Sequence, residues 1–341
     1  MQVSDFDYIL PSSLIAQSPA EPRDHARLLV YLEGRIEHRH FYNLTEYLQS
    51  GDVLVLNDSK VFPARLIGRR VSTGGKMEVF LLRPQDDYHW ECLVGHGRVQ
   101  AGQIIELSEI LRGELIQKKD KHWLVRFNLP TKKVFEEAEK IGQTPLPPYI
   151  KTVDDPSIRD RYQTVYAHNP GSAAAPTAGL HFTSELLDKV RQFGVDIETV
   201  SLHVGLGTFA PLQDEVVEEN KLHSEFYTVS PEAWERLKLA QTQNRRIIAV
   251  GTTTARVLES VAMTEQLSGS TDIFIYPGYE FKMIDGLITN FHLPKSSLLM
   301  LVSAWLQHKY DKDGLAEIQR IYKQAVDKEY RFFSFGDAMM L

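Results

Sequence analysis

The chain has 341 residues, of which 43% are hydrophobic and 24% charged, with a formal net charge of -7 and one cysteine. That length allows a sizeable core and two domains, and the acidic balance argues against a surface that grips nucleic acid over its whole extent while leaving room for a local basic patch. A single cysteine excludes an internal disulfide framework and a Cys-cluster metal site and fits a reducing cytoplasm; the N-terminus lacks the basic-then-apolar pattern of a signal peptide, and the longest apolar candidate, Leu298 to Leu306, is too short to span a membrane.

Taken in order, Leu28 to Leu32 and Ile36 to Phe41 predict two strands joined by a Glu33-Gly34 turn, followed by a short helix over Leu44 to Leu48. Val53 to Leu56 is a continuous apolar run, the mark of a strand covered on both faces, and it ends in Asn57-Asp58-Ser59. A polar cluster at a strand's carboxyl end is a candidate ligand site in an open α/β sheet; an Asx turn explains the same residues equally well. From Arg65 to about Phe127 short strands alternate with glycine-rich turns, which predicts a small β-barrel or sandwich, with Cys92 in its core. A short helix over Val134 to Ile141 and the stiff Thr144-Pro-Leu-Pro-Pro148 connection lead back to α/β texture. The organisation is therefore a larger mixed α/β domain, residues 1-64 and 149-341, with a small antiparallel β-barrel domain inserted as residues 65-148.

Gly171 to Thr183 contains small residues, a Pro, two Gly and a His without an apolar period, which reads as a ligand-holding loop outside the core. It ends where Thr183 caps a helix whose stop is Gly194, so its N-H groups suit a carboxylate or phosphate; an ordinary strand-to-helix connection fits the residues as well. Further apolar strands end in polar loops: Val195 to Val204 runs into Gly205-Leu-Gly207-Thr208, Ile247 to Val250 into Gly251-Thr-Thr-Thr254, Ile273 to Tyr276 into Pro277-Gly278, and Leu287-Ile288 into Thr289-Asn-Phe-His292. Helices follow at Arg256 to Val261, at Leu298 to Leu306 and around Leu315 to Ala325, and Arg331 to Phe335 predicts a closing strand.

The glycine pattern at Gly205 is incomplete as a dinucleotide fingerprint, and no Walker A lysine or G-x-S-x-G elbow is present. His181, His203, His223 and His292 lack the helical spacing of a zinc site. Each can serve as a general acid or base near neutral pH, or as a structural hydrogen-bonder. His223-Ser-Glu225 would place an imidazole and a carboxylate on one strand face. Arg65, Arg69, Arg70 and Lys76, with Arg98 nearby, form the most basic local group, suited to phosphates or to an ordinary solvated strand face.

Ordered blocks along almost the whole chain resemble one family, the S-adenosylmethionine:tRNA ribosyltransferase-isomerases of queuosine biosynthesis. They are Asp5-Phe-Asp-Tyr-Ile-Leu-Pro11, Leu14-Ile-Ala-Gln17, Gly51 to Asp58 running on to Pro63-Ala-Arg65, Tyr162-Gln-Thr-Val-Tyr166, Ala174-Ala-Pro-Thr-Ala-Gly-Leu-His-Phe-Thr183, Leu202-His-Val-Gly-Leu-Gly-Thr-Phe209, His223-Ser-Glu225, Val250-Gly-Thr-Thr253, Thr289-Asn-Phe-His-Leu-Pro294, and Tyr330-Arg331 with Gly336-Asp337. The chain departs from the family pattern at Ala26, where Ser is usual, at Ser59, where Thr is common, and before His223, where an additional His is absent.

The resemblance implies transfer of the ribosyl portion of S-adenosylmethionine to 7-aminomethyl-7-deazaguanine at the tRNA wobble position, giving epoxyqueuosine-tRNA, adenine and methionine. It implies a mixed α/β domain with an inserted barrel, no metal, and no cofactor, since S-adenosylmethionine is consumed as the ribosyl donor. A cytoplasmic, monomeric enzyme with tRNA as partner and no membrane association is expected. That chemistry needs a base for a proton beside the sulfonium, an acid for the departing adenine and an acceptor for the protons of the attacking amine. The working assignment is His181, His203 and Asp58 for proton transfer with Glu225 and His292 in support; Thr177, Gly179, Gly205, Gly207, Thr208, Thr252 and Thr253 around S-adenosylmethionine, with Phe209 near the sulfonium; and Arg65, Arg69, Arg70, Lys76 and Arg98 on tRNA phosphates. A tRNA methyltransferase using the same donor and a non-enzymatic RNA-binding protein are the alternatives.

Overall fold

Arg27–Leu32 (β1) and Arg35–His40 (β2) pair antiparallel, with Leu32 opposite Arg35. The intervening Glu33 and Gly34 have φ of 50° and 88°, the paired positive values a two-residue hairpin turn requires. The structure, a computed structural model, describes residues 1–95, 98–119, 122–145, 149–150, 156–205 and 212–341. The helix expected over Leu44 to Leu48 is instead a 3-10 stretch, Phe41–Glu46. Val53–Asn57 (β3) is buried throughout, and the chain continues into a short strand, Ser59–Val61 (β4).

Six strands then close on one another: Arg65–Arg70 (β5), Lys76–Pro84 (β6), His89–Gly95 (β7), Ile104–Glu106 (β8), Arg112–Lys119 (β9) and His122–Phe127 (β10). Their order is β10-β7-β6-β5-β8-β9 with every neighbour antiparallel, so of barrel and sandwich it is the barrel that forms. Closure leaves no unpaired edge in so small a sheet. Leu66, Val79, Leu81, Trp90 and Val125 fill the interior together with Cys92, which is fully buried and free. Helix α1, Thr131–Ile141, plugs the barrel: the Phe135 ring meets those of Phe62 and Trp90 edge-on at 5.0 Å, and the Trp90 indole N-H donates to Thr131 Oγ1 at 3.0 Å.

The chain returns through Pro156–Arg161 (α2) and Asn169–Ser172 (β11), and β11 pairs parallel with β4. Departure and return are thus side by side, which is how a barrel can be inserted without disturbing the sheet. There follow Ser184–Gln192 (α3), Asp196–His203 (β12), Glu225–Thr228 (β13), Pro231–Thr242 (α4), Ile247–Val250 (β14), Thr252–Thr264 (α5), Ser268–Thr271 (β15), Gly286–Asn290 (β16), Ser297–Tyr310 (α6), Gly314–Asp327 (α7) and Ala338–Met340 (β17). Three sequence expectations change here. Ile273 to Tyr276 is loop, with the strand lying earlier as β15; Arg331 to Phe335 is a turn, and the closing strand is β17; Gly171 to Thr183 is largely buried, with Ala173 to Pro176 and Ala178 to Phe182 packed in the interior. Its small residues let it pack closely, so a lack of apolar period there did not mean exposure.

The main sheet runs β15-β13-β12-β3-β14-β16-β17-β1-β2. Its centre, β12-β3-β14-β16, is parallel, while β13, β15 and β2 pair antiparallel toward the edges. Side chains alternate faces along each strand. Val53, Val55, Ile247, Ala249 and Leu287 point to a core shared with α4, α5, α6 and α7, and Leu54, Leu56, Ile248, Val250 and Ile288 to one shared with α3 and the Phe41–Glu46 turn. Two-sided burial explains the unbroken apolar runs. All four parallel strands deliver their carboxyl ends to one rim, where Asn57, His203, Gly251 and Asn290 stand.

Candidate active site

The rim opens into a cleft of about 530 Å³, counting the space at its mouth, walled by Pro176, Thr177, Thr252, Thr253, Asn290, His292 and the turn at Phe333 and Ser334. Its position beyond the carboxyl ends of β14 and β16 is where open α/β sheets hold ligands. Three polar loops singled out in the sequence therefore converge on one cavity. The first turn of α5 brings Thr252 and Thr253 there with their N-H groups, whereas Thr183, at the start of α3, accepts from the Leu186 N-H and is not on the wall. The anion-suited helix end in this cleft is that of α5.

Asn290 organises the far wall. Its carbonyl accepts from Thr177 Oγ1 at 3.1 Å, and its amide nitrogen donates to His181 Nε2 and to the Phe333 carbonyl, each at 3.2 Å. His181, 4% exposed, lies behind this wall with its ring 5.0 Å from Phe41. Burial first, then the guanidiniums of Arg331 and Arg23, bring its pKa down to about 3. His292 is on the wall itself, its Nε2 hydrogen-bonded to Thr289 Oγ1 at 2.9 Å, and burial brings it also down to about 3. Both imidazoles are uncharged at neutral pH. A cationic ligand can approach them without repulsion.

A second polar cluster stands one strand over. Asn57 joins the two, donating from Nδ2 to Thr253 Oγ1 at 3.4 Å and to the Leu202 carbonyl at 3.2 Å. Beyond it the Asp58 carboxylate accepts from Ser201 Oγ at 2.5 Å and from Asn169 Nδ2 at 3.1 and 3.2 Å. His203 ends β12 with its ring stacked on Phe226 and its Nδ1 buried without a partner; burial lowers its pKa and Asp58 acts in the opposite sense. Gly171 backs this ring, with φ of 140°, and a Cβ there would lie 2.7 Å from Nδ1. Only glycine lets β11 pass so close.

The remaining sequence candidates scatter. Glu225 is off the cleft wall, in an ion pair with Arg256 at 2.5 Å, while its other oxygen accepts the Gly205 N-H at 2.9 Å. His223 precedes the strand and is exposed, so the expected imidazole and carboxylate on one strand face do not form. Gly179 is likewise absent from the wall; its lack of a side chain serves a close approach by Tyr166, whose hydroxyl would lie 1.9 Å from an added Cβ. Gly207, Thr208 and Phe209 fall outside the described residues. On the barrel, Arg69 stands opposite Lys76 and also opposite Glu106, Arg65 is ion-paired with Glu78 at 2.8 Å, Arg70 Nε lies 3.0 Å from Met77 Sδ, and Arg98 is exposed. Sequence reasoning missed Asn290, Asn169, Ser201, Arg256 and Phe333 as site residues. Asn290 was legible as part of a polar strand end, but Phe333 reaches the wall through a backbone φ of 76° that no residue pattern announces.

A family model described as queuosine biosynthesis protein matches residues 3–341. The chain belongs to the queuosine biosynthesis protein family. The resemblance carried by its sequence blocks is thereby upheld. Among its relatives, an S-adenosylmethionine:tRNA ribosyltransferase-isomerase of Desulfitobacterium hafniense is 52% identical over 351 residues, and one of a Sulfurihydrogenibium species is 48% identical over 344 residues, each alignment covering 100% of both chains. A crystal structure of an S-adenosylmethionine tRNA ribosyltransferase from Thermotoga maritima, 37% identical, aligns over 99% of each chain with a TM-score of 0.56. The family's mixed α/β architecture with a barrel is the fold found here. Among the described residues, no helix is long and apolar enough to cross a membrane, and no group of three His, Cys, Asp or Glu is arranged to hold a metal ion.

Proposed function

We propose that this enzyme transfers and isomerises the ribosyl portion of S-adenosylmethionine onto 7-aminomethyl-7-deazaguanine at the wobble position of tRNA, releasing adenine and methionine. The observation that carries the reading is the cleft at the ends of β14 and β16, hydroxyl-lined and with the uncharged imidazole of His292 on its wall, in a chain about half identical along its whole length to ribosyltransferase-isomerases. S-adenosylmethionine occupies that cleft as ribosyl donor, with no further cofactor. Its methionine carboxylate meets the Thr252 and Thr253 end of α5, where N-H groups and the helix dipole favour an anion. Its sulfonium faces the Phe291 and Phe333 side, where aromatic faces attract a cation.

His292 is the titratable side chain on the described wall and supports the donor half of the reaction as an uncharged hydrogen-bonding group, its Nε2 held by Thr289 Oγ1. His181 acts through Asn290, fixing the amide that Thr177 and Phe333 also hold. The tRNA phosphates meet the barrel face around Arg69 and Lys76, with Arg65, Arg70 and Arg98 adding charge at its margins. The enzyme works in the cytoplasm as a monomer, a reading its single buried thiol suits.

The test is incubation with S-adenosylmethionine and tRNA carrying the aminomethyl-deazaguanine base, followed by nucleoside mass spectrometry and assay of free adenine. A ribose-derived mass gain on that nucleoside with equivalent adenine is expected. A methyl-sized gain with S-adenosylhomocysteine, or tRNA binding without donor turnover, overturns the reading.

A further inference from the structure

Seven carboxylates are buried among the described residues, and the way each is neutralised sets one apart. Asp52, Glu137, Glu198, Glu225 and Asp337 each hold an arginine or lysine within 3.3 Å. Glu259 takes two backbone N-H groups and the Tyr279 hydroxyl, and burial raises its pKa. Asp58, 9% exposed, has neither arrangement: a hydroxyl from Ser201 and an amide from Asn169 are its side-chain donors, and no cation pairs with it among the described residues. A carboxylate taken out of water without a countercharge is unfavourable. It persists where a ligand brings the charge.

The neighbours say what kind of cation. Tyr166 Oη and His203 Nδ1 are both buried without a hydrogen-bond partner, and the charge of Asp58 reaches both side chains. Two unpaired polar atoms beside an uncompensated carboxylate match a group with several N-H bonds to give, which is an ammonium rather than a sulfonium. A cation that keeps its charge has no use for an unpaired imidazole nitrogen; an amine that must become nucleophilic does. The cluster is also set off from the donor cleft by Asn57, one strand away.

We infer that Asp58 receives the ammonium of the acceptor's aminomethyl group and that His203 Nδ1 takes one of its protons. This rests on the reading of the enzyme given above. In the step, an N-H bond of the ammonium breaks, its electron pair stays on nitrogen as the nucleophilic lone pair, and a new N-H bond forms on the imidazole. Asp58 then faces an imidazolium in place of the ammonium, so the carboxylate stays paired throughout.

The experiment compares two tRNA anticodon stem-loops differing only at the 7-substituent of the wobble deazaguanine, aminomethyl in one and neutral cyano in the other, by binding to wild type and to Asp58→Asn. A charge-assisted contact gives the wild type a preference of roughly 10- to 100-fold for the aminomethyl form. Asp58→Asn abolishes that preference and leaves calorimetric binding of S-adenosylmethionine unchanged. His203→Gln keeps the preference but lowers kcat, with a rate that climbs as pH approaches the amine's own pKa. Retention of the preference in Asp58→Asn, or loss of S-adenosylmethionine affinity instead, overturns the inference. If Asp58→Asn does not fold, His203→Gln decides, and a wild-type pH profile there is the refuting result. Absence of adenine release by wild type with the aminomethyl substrate would instead sink the reading on which this rests.

Discussion

Glu225→Gln separates a carboxylate that moves protons from one that holds a buried charge. The Glu225 and Arg256 side chains are 3% and 4% exposed and meet at 2.5 Å, and Glu225 also accepts the Gly205 N-H at 2.9 Å. Glutamine keeps the shape and can still accept that N-H, but it leaves the guanidinium with the Ile273 carbonyl at 3.3 Å and a buried Nη2 that has no partner. Breaking one half of a buried pair costs about 3–5 kcal/mol. Replacing both partners, as Glu225→Leu with Arg256→Met, removes the stranded charge and should recover most of the loss. Urea unfolding followed by circular dichroism reads both variants, and turnover is measured at a temperature where each stays folded. The expected outcome is a large fall in midpoint for Glu225→Gln, recovery in the double variant, and a wild-type pH profile for the folded single variant. A cost under about 1 kcal/mol, or a double variant no better than the single, would refute the charge argument.

Two further outcomes are expected. Gly179→Ala puts a Cβ 1.9 Å from the Tyr166 hydroxyl and 2.9 Å from Thr164 Cγ2, so overpacking should cost about 1–3 kcal/mol; thermal melting should show a lower Tm that Tyr166→Phe, by removing the hydroxyl, partly restores, and an unchanged Tm in the single variant contradicts the packing. His181 and His292 are held near pKa 3 in the folded chain against an ordinary 6.5. Below pH 6.5 the unfolded state takes up protons that the folded state refuses, so stability falls as pH drops from 6.5 toward about 3, by at most about 1.4 kcal/mol per pH unit for each histidine. Urea midpoints at pH 7, 6 and 5 should trace this decline, and His292→Gln should flatten it; an identical slope in the variant shows that His292 is not buried neutral.

The parallel centre of the sheet was legible because burial on both faces forces unbroken apolar runs, and Val53 to Leu56 and Ile247 to Val250 have no other reading. The polar rim was legible for the same reason, since Asn57-Asp58 and Gly251-Thr252-Thr253 interrupt such runs abruptly. What escaped was the burial of Gly171 to Thr183: small residues carry no hydrophobic period, yet they are what allows β11 to pass the His203 ring and the Thr177–His181 turn to pass Tyr166. Edge elements such as β13 and β15 were hard to see because their strands are short and partly polar, and the Arg256 pairing joins residues 31 positions apart that no local pattern links.

In the proposed reaction both substrates are cations, and the division of charge across the rim suits them. Two unit positive charges about 6 Å apart at an effective dielectric constant near 20 repel by roughly 3 kcal/mol, which sets the scale for a sulfonium and an ammonium brought together in the proposed reaction. Neutral imidazoles at His181 and His292 add nothing to that repulsion, because burial keeps them unprotonated. In the proposed acceptor site the carboxylate of Asp58, with which no cation pairs among the described residues, would offset it. Placing a positive side chain at this point, as at Asp52, Glu137, Glu198, Glu225 and Asp337, would stabilise the free protein and oppose assembly of the reacting pair. On the proposed reading, the lack of a countercharge to Asp58 among the described residues is a cost to folding that binding of the second substrate would remove, so that the order of charge, rather than the number of contacts, would bring amine and donor together.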